Sequence, residues 1–254
     1  MKISEKFQEL RKKRAKAFIP YFTAGFPDLK KSLSLLRMAA ANGADIIEIG
    51  YPFSDPVADG KTIQQSSQSA LESGITLPAL LSGVKKLKMT VPLILMSYLN
   101  PLMAYGEKRI FGDLQAAGFS GLIIPDMPLE ETSDWALKAE KSGIALILLA
   151  APNSTPERIK KIADISQGFI YCVSITGVTG GRKTLPAGLR DFLLQVKKCT
   201  DKALCLGFGI SNPDQAAKFS PLVDGVIVGS RLVEAIKKGE DLEKLIREFK
   251  KALL

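Results

Sequence analysis

Eight short apolar runs recur along the chain, each separated from the next by a stretch with helical periodicity, and this alternation limits the fold more than any other feature. The runs are Phe18–Phe22, Asp45–Gly50, Pro92–Tyr98, Gly121–Pro125, Ala145–Ala150, Phe169–Ser174, Ala203–Phe208 and Gly225–Val228. Several of them, such as PLILM, GLII, ALILLAA and GVIVG, are apolar at consecutive positions rather than at every second one. A strand without a polar face must be covered on both sides, which is the condition of a parallel sheet flanked by helices. The intervening stretches supply those helices. Leu29, Leu33, Leu36 and Ala40 form an apolar stripe that Pro27-Asp28 introduces and Gly43 ends. Thr155-Pro156-Glu157 and Asn212-Pro213-Asp214 place proline at the first helical position and an acid in the first turn. Leu242, Leu245, Ile246 and Phe249 give the last helix an apolar face, and Phe7 with Leu10 predicts a further helix ahead of the first strand.

Eight parallel strands can close into a barrel or lie open in a doubly wound sheet. No GxGxxG follows the first strand, and no composition break or flexible linker divides the chain. A length of 254 residues fits one barrel. The expectation is a single (β/α)8 barrel over residues 1–254, with an extra N-terminal helix covering the bottom. The long gap between the second and third strands leaves room for a functional loop and an extra helix.

Composition narrows the chemistry. The chain contains no histidine, which removes the usual neutral-pH base, the commonest metal ligand and every Ser-His or Cys-His arrangement. Acid–base work must then rest on carboxylates, Tyr, Lys or Cys. Cys172, Cys199 and Cys205 form no CxxC pair, as suits a reducing compartment. The net charge of +9 is spread over helical segments without arginine–aromatic interleaving, so solvated helix faces explain it better than nucleic acid does. The longest apolar stretch, Ile144 to Pro152, is about half of a membrane span, and the charged N-terminus lacks a leader's apolar core. A soluble, cytoplasmic chain is expected.

In such a barrel the active site lies where strands end and the following loops begin. The second strand, Ile46-Ile47-Glu48-Ile49-Gly50, carries an acid inside an apolar run. Desolvation raises the pKa of such a carboxyl, so that it can donate a proton near neutrality and take one back; a structural ion pair is the other reading. The loop Tyr51 to Gly60 holds two prolines, Phe53, Asp55 and Asp59, whose acids could also be turn formers. Gly209-Ile210-Ser211 and Gly229-Ser230 end strands just before helices, where free N–H groups suit an anion, although ordinary tight turns look the same.

Ile47 through Gly60, IEIGYPFSDPVADG, resembles the signature segment of tryptophan synthase α chains, with Glu48 and Asp59 at the family spacing. The resemblance continues in order through IPYFTAG (19–25), YLNP (98–101), PDMP (125–128), SITGVTG (174–180), GFGIS (207–211) and VGS (228–230). It implies retro-aldol cleavage of indole-3-glycerol phosphate to indole and glyceraldehyde 3-phosphate. Glu48 would protonate the ring carbon that bears the side chain and then take the side-chain hydroxyl proton, while Asp59 accepts the indole N–H. Tyr171 and Thr179 would support them, Thr179 from a Gly-rich lid over Gly177–Gly188. Gly180, Phe208, Gly209, Gly229 and Ser230 would bind phosphate, with no Lys or Arg required. Tyr21, Met96, Tyr98, Ile123 and Phe208 would line the indole slot, although each could equally be core. The chain itself would need no metal or organic cofactor. The implied partner is a pyridoxal-phosphate-dependent β subunit in an αββα complex, met through Pro52, Phe53, Asp55 and Asn100.

Two rival chemistries fail on residues: a metal-dependent epimerase lacks its His ligands, and no strand centre carries a Schiff-base Lys. A catalytically weak subunit retained to activate its partner remains an alternative, which the presence of both Glu48 and Asp59 opposes. One departure stands out, since Lys61 follows Asp59-Gly60 where the family commonly has proline.

Overall fold

The computed structural model describes residues 1–174, 188–207 and 209–254. Among them eight parallel strands close into a barrel in chain order, each paired with its neighbours and the eighth with the first. The strands are β1 (Ala17–Thr23), β2 (Ile47–Gly50), β3 (Leu93–Met96), β4 (Phe119–Ile123), β5 (Ala145–Ala150), β6 (Phe169–Val173), β7 (Ala203–Gly207) and β8 (Gly225–Val228). Helix α1 (Ile3–Lys12) precedes them, and α2 (Leu29–Ala41) follows β1. Two helices, α3 (Lys61–Glu72) and α4 (Leu77–Leu87), fill the long gap after β2. Next come α5 (Leu99–Tyr105), α6 (Glu107–Ala117), α7 (Thr132–Lys141), α8 (Pro156–Ile165), α9 (Leu189–Cys199), α10 (Pro213–Phe219), α11 (Ser230–Lys238) and α12 (Leu242–Lys251). No described helix is long and apolar enough to cross a membrane.

The period of two along each strand divides the apolar residues into two cores. Phe18, Phe22, Ile47, Ile49, Leu93, Leu95, Leu122 and Val226 face outward into the helices. Ile19, Ile94, Ile147, Phe169, Cys205 and Ile227 face inward and fill the barrel. Continuous apolar runs were needed because both directions are dry. Helix α1 plugs the bottom through Ile3, Phe7 and Leu10, with the Phe7 ring 5.8 Å from that of Phe169. Gly121 admits it, because a Cβ there would lie 2.8 Å from Ile3 Cδ1.

The helix starts follow their sequence signals. Asp28, Thr155 and Asn212 each accept the backbone N–H three residues on, and Pro156 and Pro213 open the helices behind their caps. Two expectations shift. The deep face of α2 is Ser32, Leu35, Leu36 and Ala39, while Leu33 points sideways against Gly83 of α4, so Leu29, Leu33 and Ala40 are only partly buried. Strand β4 starts at Phe119 rather than Gly121, because partly buried Ser120 interrupts an otherwise apolar strand.

At the bottom, α12 is fastened to the barrel by a stacked pair and an ion pair. Phe249 stacks on Phe18 at 5.6 Å, and Lys250 Nζ lies 2.7 Å from Asp45 Oδ2, which also accepts the buried Phe18 N–H at 2.8 Å. Removing one partner of a buried pair leaves an uncompensated charge and, here, an orphaned amide. Asp45→Ala should therefore cost about 3 kcal/mol in urea unfolding. Glu243→Ala, which removes an exposed pair with Arg247, should cost under about 0.5 kcal/mol. Equal costs would show that the Asp45 pair is not a fastening.

Candidate active site

Glu48 is the second residue of β2 and, having the inward parity of its strand, enters the barrel near its mouth. It is 1% exposed, and its Oε2 has no hydrogen-bond partner among the described residues. The ion-pair reading therefore finds no support. Burial, with the nearby Asp59 charge adding to it, pushes the carboxyl up to about 8.

Asp59 arrives from the loop between β2 and α3. That loop is pinned from three directions. The Ala58 N–H donates to Tyr98 Oη at 2.9 Å, Gln64 Nε2 donates to the Asp59 carbonyl at 2.8 Å, and the Phe53 ring lies 5.4 Å from Tyr98. With its oxygen accepting from Ala58, Tyr98 has its proton left for the Asp59 carboxylate. Burial raises Asp59 to about 6, and the Tyr98 hydrogen bond holds it from going higher. Tyr98 is in turn placed by the next residue, whose N–H donates to Asp126 Oδ1 at 2.9 Å.

One cavity joins these groups, about 780 Å3 counting its open mouth. Of the residues expected from sequence, Tyr21, Glu48, Asp59, Met96, Tyr171, Gly209, Gly229 and Ser230 line it. Tyr21 and Tyr171 fit because the next strand carries glycine: a Cβ on Gly50 would lie 2.0 Å from Tyr21 Oη, and one on Gly207 would lie 2.4 Å from Tyr171 Oη. Two expected members of the indole slot differ. Tyr98 is taken up by the Asp59 loop, and Ile123 belongs to the inner core as the register partner of Met96. Thr179, Gly180 and Phe208, with residues 177–187 of the expected lid, lie outside the described residues.

The structure adds wall residues that the sequence did not single out: Thr62 and Ile63 from α3, Ile210, Ser211 and Ile227, and Arg231 with Glu234 from α11. Arg231 could have been found, since it directly follows Gly229-Ser230. Its guanidinium is ion-paired at 2.5 Å with Glu240. Gly209 has φ +89°, a left-handed conformation that suits glycine. Gly229 caps the start of α11 without a side-chain hydrogen bond, which leaves first-turn N–H groups for another acceptor.

Of the expected interface residues, Pro52 is buried, Phe53 is part-buried against Tyr98, and Asp55 and Asn100 are exposed. Val57 in the same loop and Met103 on α5 are exposed apolar residues on the same two segments. Among the described residues no group of His, Cys, Asp and Glu side chains converges as a metal-ligand set.

The fold and site define a class: a (β/α)8 barrel whose mouth holds two buried carboxyls of different proton affinity. The family model for tryptophan synthase alpha chain matches residues 7–253. The chain is similar to the tryptophan synthase alpha chains of Thermoanaerobacter pseudethanolicus, 43% identical over 98% of this chain and 95% of that one, and of Methanosarcina mazei, 45% identical over 100% and 94%. Its structure is similar to that of Mycobacterium tuberculosis tryptophan synthase, with a TM-score of 0.93 at 35% identity over 99% of this chain and 97% of that one. The alpha subunit from Legionella pneumophila gives 0.90 at 33% identity, over 99% and 97%. The chain belongs to the tryptophan synthase alpha chain family.

The raised carboxyl has a consequence for stability. Glu48 rises from 4.5 to about 8 on folding, so the folded chain holds this proton more tightly than the unfolded one. Stability is then lost as pH rises from 4.5 to about 8, and the loss is complete above that window. Glu48→Gln removes the dependence. Its stability relative to wild type should rise by on the order of 3 kcal/mol between pH 5 and pH 9, read by urea unfolding at both. The same difference at the two pH values would mean that the carboxyl is not raised.

Proposed function

We propose that the chain acts as an indole-3-glycerol-phosphate lyase, with Glu48 as the acid–base group and Asp59 as the anion that steadies the indole nitrogen. The observation that carries this reading is the split between two carboxyls in one cavity, about 8 for Glu48 and about 6 for Asp59. Near neutrality the first holds a proton and the second is ionised, which is the division of labour the reaction needs.

Glu48 gives its proton to the ring carbon that bears the glycerol phosphate side chain. Positive charge develops on the ring nitrogen, whose N–H donates to the Asp59 carboxylate. Glu48, now ionised, takes the proton from the side-chain hydroxyl next to that carbon. The O–H electrons become the aldehyde C=O, and the C–C electrons return to the ring. Neutral indole and glyceraldehyde 3-phosphate separate, and Glu48 is again protonated. Tyr21, Met96 and Ile227 offer apolar surface to the ring, and Tyr171 lines the same cavity within reach of the charges of both carboxyls. The phosphate is read as held by N–H groups around Gly209, Gly229 and Ser230.

The proposal extends to one barrel domain over residues 1–254 that uses no cofactor of its own and works in the cytoplasm, where the three free cysteines suit a reducing medium. The partner is a pyridoxal-phosphate-dependent β subunit in an αββα complex. Supporting it are the exposed Asp55 and Val57, on the loop that carries Asp59, and Asn100 and Met103 on α5, the segment that holds that loop through Tyr98. A subunit kept only to activate its partner would have no use for two carboxyls of separated affinity.

Glu48→Gln should keep binding of a substrate analogue and lower single-turnover indole release by about 10³-fold or more, because an amide transfers no proton. Asp59→Asn should lose on the order of 10²-fold through lost charge at the indole nitrogen. Turnover near wild type in Glu48→Gln would sink the mechanism.

The phosphate reading makes a separate prediction. Gly209→Val forces a β-branched residue into a left-handed conformation, and should raise KM by about tenfold or more with a smaller change in kcat. Arg231→Gln should raise KM by only about two- to threefold, because its charge is already matched by Glu240. A larger effect at Arg231 than at Gly209 would move the phosphate from the backbone to the side chain.

A further inference from the structure

Among the described residues, Arg231 is the one cation in the cavity wall, which it shares with the acids Glu48, Asp59 and Glu234. Arg231 is the second residue of α11, directly after Gly229-Ser230. The first bonds of that helix run from the N–H groups of Leu232 and Val233 to the Gly229 carbonyl, at 2.8 and 3.1 Å. The N–H groups of Ser230 and Arg231 come before this ladder, so they are the ones left for an anion. Helical side chains leave the backbone leaning toward the N-terminus. The Arg231 side chain thus starts beside the place where such an anion would sit.

Its guanidinium is nevertheless drawn the other way. The ion pair at 2.5 Å is with Glu240, a residue beyond the far end of α11. Nine helical residues rise about 13 Å, so to meet Glu240 the Arg231 side chain runs along the helix, away from its start. Glu240 is held in place by the backbone. Gly239 turns the chain in a left-handed conformation at φ +66°, the Glu240 N–H donates to the Ala235 carbonyl at 3.0 Å, and Asp241 caps α12 by accepting the Lys244 N–H at 2.9 Å. Glu234, the other charge on this stretch of wall, is engaged by Lys238 at 3.1 Å.

We propose that Glu240 sets the phosphate affinity of the site: it draws the Arg231 guanidinium along α11, so that the anion is held by N–H groups with little help from that charge. The inference rests on the phosphate reading given above. Substrate and aldehyde product carry the same phosphate, so a cation on it would stabilise substrate, transition state and product alike. Such uniform binding lowers KM without raising kcat, and it holds the product back. Glu240 is therefore a positioning residue that keeps this uniform contribution small.

Glu240→Gln preserves the junction, whose fixing bonds are made by the backbone, and releases the guanidinium to the charge-assisted contact it can make with phosphate. Kinetics of indole release by the full chain are measured at about 0.15 M salt, where distant charges are screened. KM, and the inhibition constant of inorganic phosphate, should both fall by about three- to fivefold with kcat unchanged. In the Arg231→Gln background the same substitution should change neither constant. The loss caused by Arg231→Gln should accordingly grow to about tenfold once Glu240 is replaced. Unmoved constants in Glu240→Gln overturn the proposal. So does an equal fall with and without the Arg231 guanidinium, which would report only the removal of a negative charge near the cavity. Gly209→Val separates this inference from the reading beneath it. Where phosphate inhibits the wild type and fails to inhibit Gly209→Val, a negative result at Glu240 is a failure of the ion pair's role alone. Where Gly209→Val binds phosphate normally, the anion sits elsewhere and the role of Glu240 falls with the site.

Discussion

A closed barrel must fill its own interior from alternate residues of eight strands, and that filling governs the rest of this molecule. Ile19, Ile94, Ile147, Phe169 and Ile227 occupy the inside, and Ile3, Phe7 and Leu10 of α1 seal it from below. At the top the pattern changes. Gly50 and Gly207 withhold a side chain from the inward line, and the rings of Tyr21 and Tyr171 lean into the space from the strand before each. A single carboxyl set into this packing has little access to water. Its raised proton affinity follows from the packing of the barrel around it.

The second carboxyl is treated differently, and the difference comes from where the chain places it. Asp59 sits on a loop instead of a strand, and Tyr98 donates to it, so burial raises it less. Had both acids stood on strands with no donor, both would hold protons at neutral pH and none would steady a cation. Had both stood on the loop, neither would be an acid. Strand and loop together separate the two states by burial and one hydrogen bond, which is how a chain lacking histidine can run acid–base chemistry near neutrality.

Strand number, parallel order and the position of Glu48 were legible because a strand dry on both faces must be written as an unbroken apolar run, and an acid within one is conspicuous. Strand ends were less so. Asp45 reads as strand, yet β2 begins at Ile47, although the Asp45 N–H still donates to the Phe18 carbonyl and its carboxylate binds the Phe18 amide and Lys250. Helix phase was legible only to within a residue or so, as Leu33 shows, because a helix between two neighbours has apolar contacts beside its deepest face as well as on it. Thr62, Arg231 and Glu234 reach the cavity from helices whose rotation about the barrel no local pattern records. Tyr98 could be placed near the site by its motif, but its hydrogen bond to the amide of Ala58, 40 residues away, is a tertiary fact.

That bond also bears on Lys61. Proline at the first helical position fixes φ in advance and stabilises by roughly 0.4–1 kcal/mol through the unfolded chain. Lys61 occupies that position in α3, directly after the Gly60 cap, with its side chain in solvent. The loop that carries Asp59 therefore lacks that stiffening at its far end. What holds it is lateral: Tyr98 on Ala58, Gln64 on the Asp59 carbonyl and Phe53 against Tyr98. Two of those three fastenings depend on Tyr98, at the N-cap of α5. The exposed Asn100 and Met103 lie on that same helix. Tyr98 therefore ties α5, which carries exposed Asn100 and Met103, to the loop that carries Asp59. Without proline at position 61, the loop's placement depends the more on that tie.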